Sequence, residues 1–160
     1  ISAGADPAML ALLAARRLGV VLMHRRGDAQ TMQRDTSYLD VVAEVAEYLA
    51  ARAAAAVAAA VARETIFLDP GIGFGKDVAG NLRLLAALRD LATLGHPVVV
   101  GASRKSFIGR LTGAAVDDRA AGSLAAIVAA EGIDRAVVRV HDVAATVQFL
   151  TVRAAIAGAA

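Results

Sequence analysis

Cysteine and tryptophan are absent from these 160 residues, and aromatic residues make up only 4% of them. The missing cysteine excludes a disulfide framework, a thiolate metal site and a cysteine nucleophile. With so few rings, base stacking has little to work with. The 17 basic residues barely exceed the 15 acidic ones and are scattered along the chain, so no nucleic-acid partner is expected. Long uninterrupted apolar runs are lacking too. The most apolar stretch, residues 53–62, is short and nearly all alanine, so no membrane partner or spanning segment is expected. No basic stretch followed by an apolar run opens the chain, so no secretory signal is expected. The expectation is a soluble, cytoplasmic protein. Lysine is the scarcest cation: Lys76 and Lys105 stand alone, and every other basic residue is arginine. An ammonium is a compact point charge that can approach a ring atom or a phosphate, unlike the wide guanidinium fork. Both lysines fall in glycine-containing loops after apolar runs.

What the chain does have is a recurring unit. Four short apolar runs each end in polar residues: Val20-Val21-Leu22-Met23-His24, Thr65-Ile66-Phe67-Leu68-Asp69, Pro97-Val98-Val99-Val100-Gly101 and Ala136-Val137-Val138-Arg139-Val140-His141. They are mostly continuous rather than alternating, which predicts strands of a parallel sheet buried on both faces. Helical patterns lie between them. Asp6-Pro7 reads as an N-cap and first turn, with Gly19 as the stop. Further helices are predicted over 37–62, 81–94, 119–131 and 144–156, the first of them ending in a run of alanine, the strongest helix former. The order is a helix followed by four strand–helix units, and right-handed crossovers then give a parallel sheet with helices outside. One domain of this length can bury a core. A complete eight-fold β/α barrel, however, needs about 250 residues.

Parallel sheets gather their chemistry at the C-terminal strand ends. After the second run comes Asp69-Pro70-Gly71-Ile72-Gly73-Phe74-Gly75-Lys76. Its alternate glycines let backbone approach a ligand, and Asp69 could accept paired N–H bonds from a heterocycle or simply cap the turn. A phosphate-binding P-loop is excluded, because Asp77 stands where Ser or Thr is required. The third run is followed by Gly101-Ala102-Ser103-Arg104-Lys105-Ser106. Two cations and two hydroxyls stand there where a helix should begin, either an anion site or a solvated basic loop. The fourth leads into Arg139-Val140-His141-Asp142. Arg139 and His141 share a face, and Asp142 could cap the next helix or orient His141; a strand-end salt bridge is the plain alternative. His24, after the first run, is read as structural rather than catalytic, and Met23 beside it could pack on a flat ligand. Arg25 and Arg26 read as solvated, and Arg26-Gly27-Asp28 as a chance match to an adhesion tripeptide. His96 is placed in a connecting loop.

Taken together these segments resemble the dihydropteroate synthases of the pterin-binding barrel superfamily. The matching motifs are Val21-Leu22-Met23-His24, Asp69 through Lys76, Gly101-Ala102-Ser103-Arg104-Lys105-Ser106-Phe107-Ile108-Gly109 and Arg139-Val140-His141-Asp142-Val143. Ile1-Ser2-Ala3-Gly4 resembles the end of that family's fourth strand. The resemblance implies an α/β fold, the C-terminal half of a (β/α)8 TIM barrel with four parallel strands and outer helices. It makes residues 1–160 a partial pterin-binding domain running from strand 5 to helix 8, preceded by the end of strand 4 and helix 4. It implies a transferase of folate biosynthesis and a sulfonamide target. Such an enzyme joins p-aminobenzoate to 6-hydroxymethyl-7,8-dihydropterin diphosphate, giving 7,8-dihydropteroate and diphosphate with Mg²⁺ assisting. By resemblance Asp69 binds the pterin amino and ring N–H groups. Lys105 contacts the pterin and aminobenzoate, Met23, Phe74 and Gly101 line their pockets, and Ser103 and Arg104 lie near the aminobenzoate carboxylate. Arg139 and His141 hold the diphosphate. Asp69, Lys105, Arg139 and His141 are the expected catalytic set, and Lys76 is mainly structural. The metal ligand and the second pterin carboxylate belong to segments outside these residues, so the isolated chain is expected to be inactive. A homodimer of the full enzyme is implied, and exposed strand edges would make this chain self-associate. A methyltetrahydrofolate methyltransferase-like barrel and a non-catalytic half-barrel are the alternatives. The Ser-Arg-Lys and Arg-x-His pair speaks for the synthase, because methyl transfer has no diphosphate to hold.

Overall fold

The computed structural model describes residues 6–28 and 30–159; the resemblance of residues 1–4 to a fourth strand lies outside them. Helix α1 (Pro7–Arg16) starts where Asp6 accepts a hydrogen bond from the N–H of Ala8. It ends at Arg17 in the left-handed region, two residues before the glycine expected to stop it. Four units follow. Strand β1 (Val20–Met23) leads to α2 (Val41–Ala58), and β2 (Ile66–Asp69) to α3 (Val78–Ala86) and α4 (Leu88–Ala92). Strand β3 (Val98–Val100) leads to α5 (Ser106–Thr112) and α6 (Ala120–Ile127), and β4 (Ala136–Val138) to α7 (Val143–Ala157). The strands are parallel and lie in chain order β1-β2-β3-β4.

Two predicted helices differ from the observed ones for local reasons. The helix predicted over 37–62 begins only at Val41, because the Asp40 carboxylate accepts from the N–H groups of Val42 and Ala43 and so fixes the first turn there. The helix predicted over 81–94 starts earlier, capped by Asp77 onto the Gly80 N–H, and breaks at Ala87 into α3 and α4.

The expectation of strands buried on both faces holds for β3, whose three valines are all buried, but on one face only for the outer strands β1 and β4. Alternate strand residues Leu22, Ile66, Leu68, Val98 and Val100 pack with Val45 and Leu49 of α2 and with Leu84, Leu88 and Leu91 in one hydrophobic cluster. Each such buried side chain contributes about 1.5–3 kcal/mol relative to exposure. The intervening residues Val21, Met23, Phe67, Asp69, Val99 and Val137 belong to the opposite face and stay outside that cluster. There Val21 remains 47% and Val137 44% exposed, because no second layer of the described residues covers them. A continuous apolar run reads the same whether its second face is covered by this chain or not, which is why sequence patterning missed the asymmetry. Helices on one face of four consecutive parallel strands are the layout of half a (β/α)8 barrel.

No helix among the described residues is long and apolar enough to cross a membrane.

Candidate active site

All four strands deliver their polar residues to one end of the sheet. A cleft of about 400 Å³ opens there, lined by Phe74, Gly101, Ser103, Arg104, Lys105, Val116, Arg139 and His141. Seven of these are residues singled out from sequence. Val116 is not: it stands in a short 3-10 turn, Val116–Asp118, that carries no motif. Met23 and Asp69 do not line the cleft. They are register partners at the ends of β1 and β2, on the face opposite the helices, where Asp69 is nevertheless buried.

Arg139 continues the ladder beyond β4, its N–H donating to the Val100 carbonyl at 3.0 Å. Its guanidinium lies flat over Gly101, so close that a Cβ at residue 101 would stand 2.5 Å from Nη2 and 3.2 Å from Cζ. Glycine at the end of β3 is therefore what lets the cation reach across the strand end. Ser103 Oγ accepts from the His141 N–H at 3.3 Å and lies 3.0 Å from His141 Nδ1. The serine hydroxyl carries one donor and two acceptor sites, so it can hold the ring in place through Nδ1 in either tautomer. Asp142 caps α7 through the Ala145 N–H and does not orient His141.

Lys105 lays its stem over Gly73, where a Cβ would meet Lys105 Cδ at 3.0 Å, and sets its Nζ 3.7 Å from the centroid of the Phe74 ring. Burial and the Arg139 charge lower its pKa, and the Asp69 carboxylate opposes them. Asp69 is 4% exposed. Burial raises its pKa, against the Gly71 N–H that donates to Oδ1 at 2.7 Å and the cations Arg139, Lys105 and Lys76. A carboxylate with one oxygen engaged locally has the other free to accept, and N–H donors of a flat heterocycle would offset the burial that disfavours its charged form.

Behind the cleft the glycine-rich loop is held from within. Lys76, 3% exposed, donates to the carbonyls of Gly71 at 3.0 Å and Phe74 at 2.9 Å and approaches His24 Nδ1 at 3.0 Å. Burial above all brings its pKa down to about 7. His24 is pressed to about 4 by burial and by the Lys76 and Arg26 charges, so it is the neutral acceptor of the pair. Its ring also meets Tyr48 edge-on at 5.0 Å. Of the two readings of His24, the structural one is what the structure shows. The glycine loop is further tied by Asn81 Oδ1, which accepts from the Gly73 N–H at 2.6 Å, and by the Tyr38 hydroxyl, which donates to the Gly75 carbonyl at 2.9 Å. Neither residue carried a sequence signal beyond its polarity. Arg26, expected to be solvated, instead pairs with Glu44 at 2.7 Å and lies 3.9 Å from the centroid of the Tyr38 ring.

Comparison with known proteins agrees with this geometry. A family model described as pterin binding enzyme matches residues 1–141. The chain belongs to the pterin-binding enzyme family. Among its curated relatives, the dihydropteroate synthase of Neisseria meningitidis serogroup B is 48% identical over 138 residues, covering 84% of this chain and 48% of that protein. The dihydropteroate synthase of Yersinia pestis, solved in complex with a sulfonamide drug, superposes with a TM-score of 0.92 at 35% identity, covering 99% of this chain and 57% of that one. That of Xanthomonas albilineans, solved with 4-aminobenzoic acid, does so with a TM-score of 0.88 at 46% identity, covering 98% and 55%. The chain thus spans about half the length of the relatives it matches. Against that family frame, the parallel four-stranded sheet is part of a pterin-binding barrel.

Proposed function

We propose that these residues form the pterin- and aminobenzoate-handling half of a dihydropteroate synthase, from strand 5 to helix 8 of its barrel, preceded by helix 4. The observation that carries this is the convergence of Arg139, His141, Ser103 and Lys105 on one cleft with the Phe74 ring. In the reaction, the bond between the pterin methylene carbon and the diphosphate oxygen breaks. The aminobenzoate nitrogen then bonds that carbon and releases one proton. Negative charge grows on the departing diphosphate, which Arg139 and the His141 ring would hold. Positive charge grows on the pterin, which Asp69 would stabilise as a carboxylate. Phe74 would pack on a ring, Met23 would border the pterin from β1, and Lys105 would sit between the two substrates. Ser103 and Arg104 would receive the aminobenzoate carboxylate. No protein nucleophile is needed.

Mg²⁺ does not fit the residues present. The cleft lining carries three cations and no carboxylate, and among the described residues no group of three or more His, Asp or Glu side chains gathers to hold a metal ion. A homodimer and a cytoplasmic location go with the same reading. The exposed apolar residues Val143, Val147, Val152 and Ile156 of α7 support self-association, which light scattering across concentrations reads.

The test is a calorimetric titration of the chain with inorganic pyrophosphate. We expect weak binding that Arg139→Ala abolishes; unchanged affinity in that variant refutes the role given to Arg139. Gly101→Ala is expected to weaken the same binding about tenfold, or ~1.4 kcal/mol, with little change in thermal stability. The added methyl displaces the flexible end of Arg139 rather than backbone. Equal affinity of parent and variant would remove Gly101 from the anion site.

A further inference from the structure

Arg104 stands at the centre of the cleft's basic turn with φ +57°, a left-handed conformation that a residue with a Cβ adopts at a cost of roughly 1–2 kcal/mol. Such a conformation persists only where the surroundings impose it. Here both polar groups of its backbone are held from the start of α6. The Arg104 N–H donates to Ser123 Oγ at 2.9 Å, and the Ser123 hydroxyl donates onward to the Arg119 carbonyl at 2.6 Å. The Arg104 carbonyl accepts from Arg119 Nη1 at 3.1 Å, while Arg119 Nε donates to the Ala114 carbonyl at 3.1 Å. Ser123 is buried. Two helical glycines make room for this seam. A Cβ at Gly109 would overlap the Arg119 guanidinium, and one at Gly122 would overlap Ile108 Cγ2.

The neighbours of Arg104 are the two residues that face the cleft most specifically. Ser103 meets His141 Nδ1, and Lys105 stands over Phe74. A relaxed, right-handed Arg104 would rotate both away from those partners.

We infer that Arg119 and Ser123 are positioning residues, which hold the Ser103-Arg104-Lys105 turn in its anion-binding shape from outside the cleft. The inference rests on the anion-holding reading given above. Neither residue lines the cleft, and both bond the Arg104 peptide directly, so the turn is where their effect reaches it.

Two readouts in the 160-residue chain test it: affinity for inorganic pyrophosphate and the imidazole ¹⁵N shifts of His141. Ser123→Ala is expected to lower affinity about tenfold and to move the His141 Nδ1 signal, and Ser123→Thr to restore both. Arg119→Met keeps much of the stem but removes both donors, to the Arg104 and Ala114 carbonyls, and is expected to act like Ser123→Ala. A residue that only stabilised the fold would shift the melting temperature and leave the His141 signal of the folded molecules in place. In the unmodified chain the Arg104 amide is expected to exchange with deuterium as slowly as the strand amides. Folded variants that bind like the parent with an unmoved His141 signal overturn the inference, and so does fast exchange at Arg104. If Arg139→Ala leaves pyrophosphate binding intact while Ser123→Ala still moves His141, the anion reading fails and the positioning role stands.

Discussion

Gly71→Ala is expected to unfold the chain or to destabilise it by more than about 4 kcal/mol, a loss reserved for severe disruptions. Gly71 has φ +70°, which alone costs alanine roughly 1–2 kcal/mol. The larger part is steric. The new Cβ would overlap the His24 carbonyl oxygen, which is backbone and has no rotamer to move. That carbonyl belongs to a residue tied to β2 by its own N–H, which donates to the Asp69 carbonyl at 3.0 Å. Relief would require the loop to leave β1, breaking the Gly71 N–H bond to Asp69 and the Lys76 bond to the Gly71 carbonyl. Gly113→Ala is the matched control. Its φ is +77°, and a Cβ there meets nothing within 4 Å. Urea denaturation should therefore show roughly 1–2 kcal/mol lost at residue 113 and several more at residue 71. Equal losses would show that the overlap with His24 is absorbed.

Lys76→Met should be the next largest effect, and its size should depend on pH. Methionine fills most of the space but leaves the Gly71 and Phe74 carbonyls without a donor, at about 1–3 kcal/mol for each unsatisfied group. The pH dependence follows from linkage. In the folded chain Lys76 releases its proton near pH 7, while the unfolded chain keeps it until the ordinary 10.5. Between those values the unfolded state binds more protons, so the parent gains stability as pH rises. Stability from this source is complete above pH 10.5 and lost as pH falls through 7. The variant lacks that slope, so its deficit should widen from pH 7 to pH 10. His24 titrates lower, near 4, and leaves this window undisturbed. Parallel stability curves for parent and variant across pH 7–10 would show that Lys76 stays charged in the folded chain.

These effects also show which parts of the architecture were legible in the sequence. Strand ends were, because a βα repeat fixes where polar residues must emerge and the chain puts Asp69, Ser103, Arg139 and His141 there. Their convergence followed from topology alone. What supports them was not legible. Ser123 lies in a helix of small residues, with Arg119 just before it, and the pattern there says only that the helix packs closely. Asn81 and Tyr38 act through backbone atoms of a loop more than 35 residues away from Tyr38 and eight from Asn81, and nothing local announces it. Lys76 was expected to be mainly structural by resemblance, but nothing local announced that the loop would fold around it and bury it against the Gly71 and Phe74 carbonyls.

The near-absence of lysine has a practical consequence for labelling. The surface charge is carried by arginine, and both ε-amines belong to the cleft or to the loop behind it. Lys105, with its pKa lowered and its side chain half-buried, is the more accessible of the two, so an acylating reagent in mild excess has one preferred side-chain target. A protease that cuts only after lysine meets two scissile bonds, both in packed loops. Its progress over time is therefore a clock for opening of the cleft rather than for fraying of the surface.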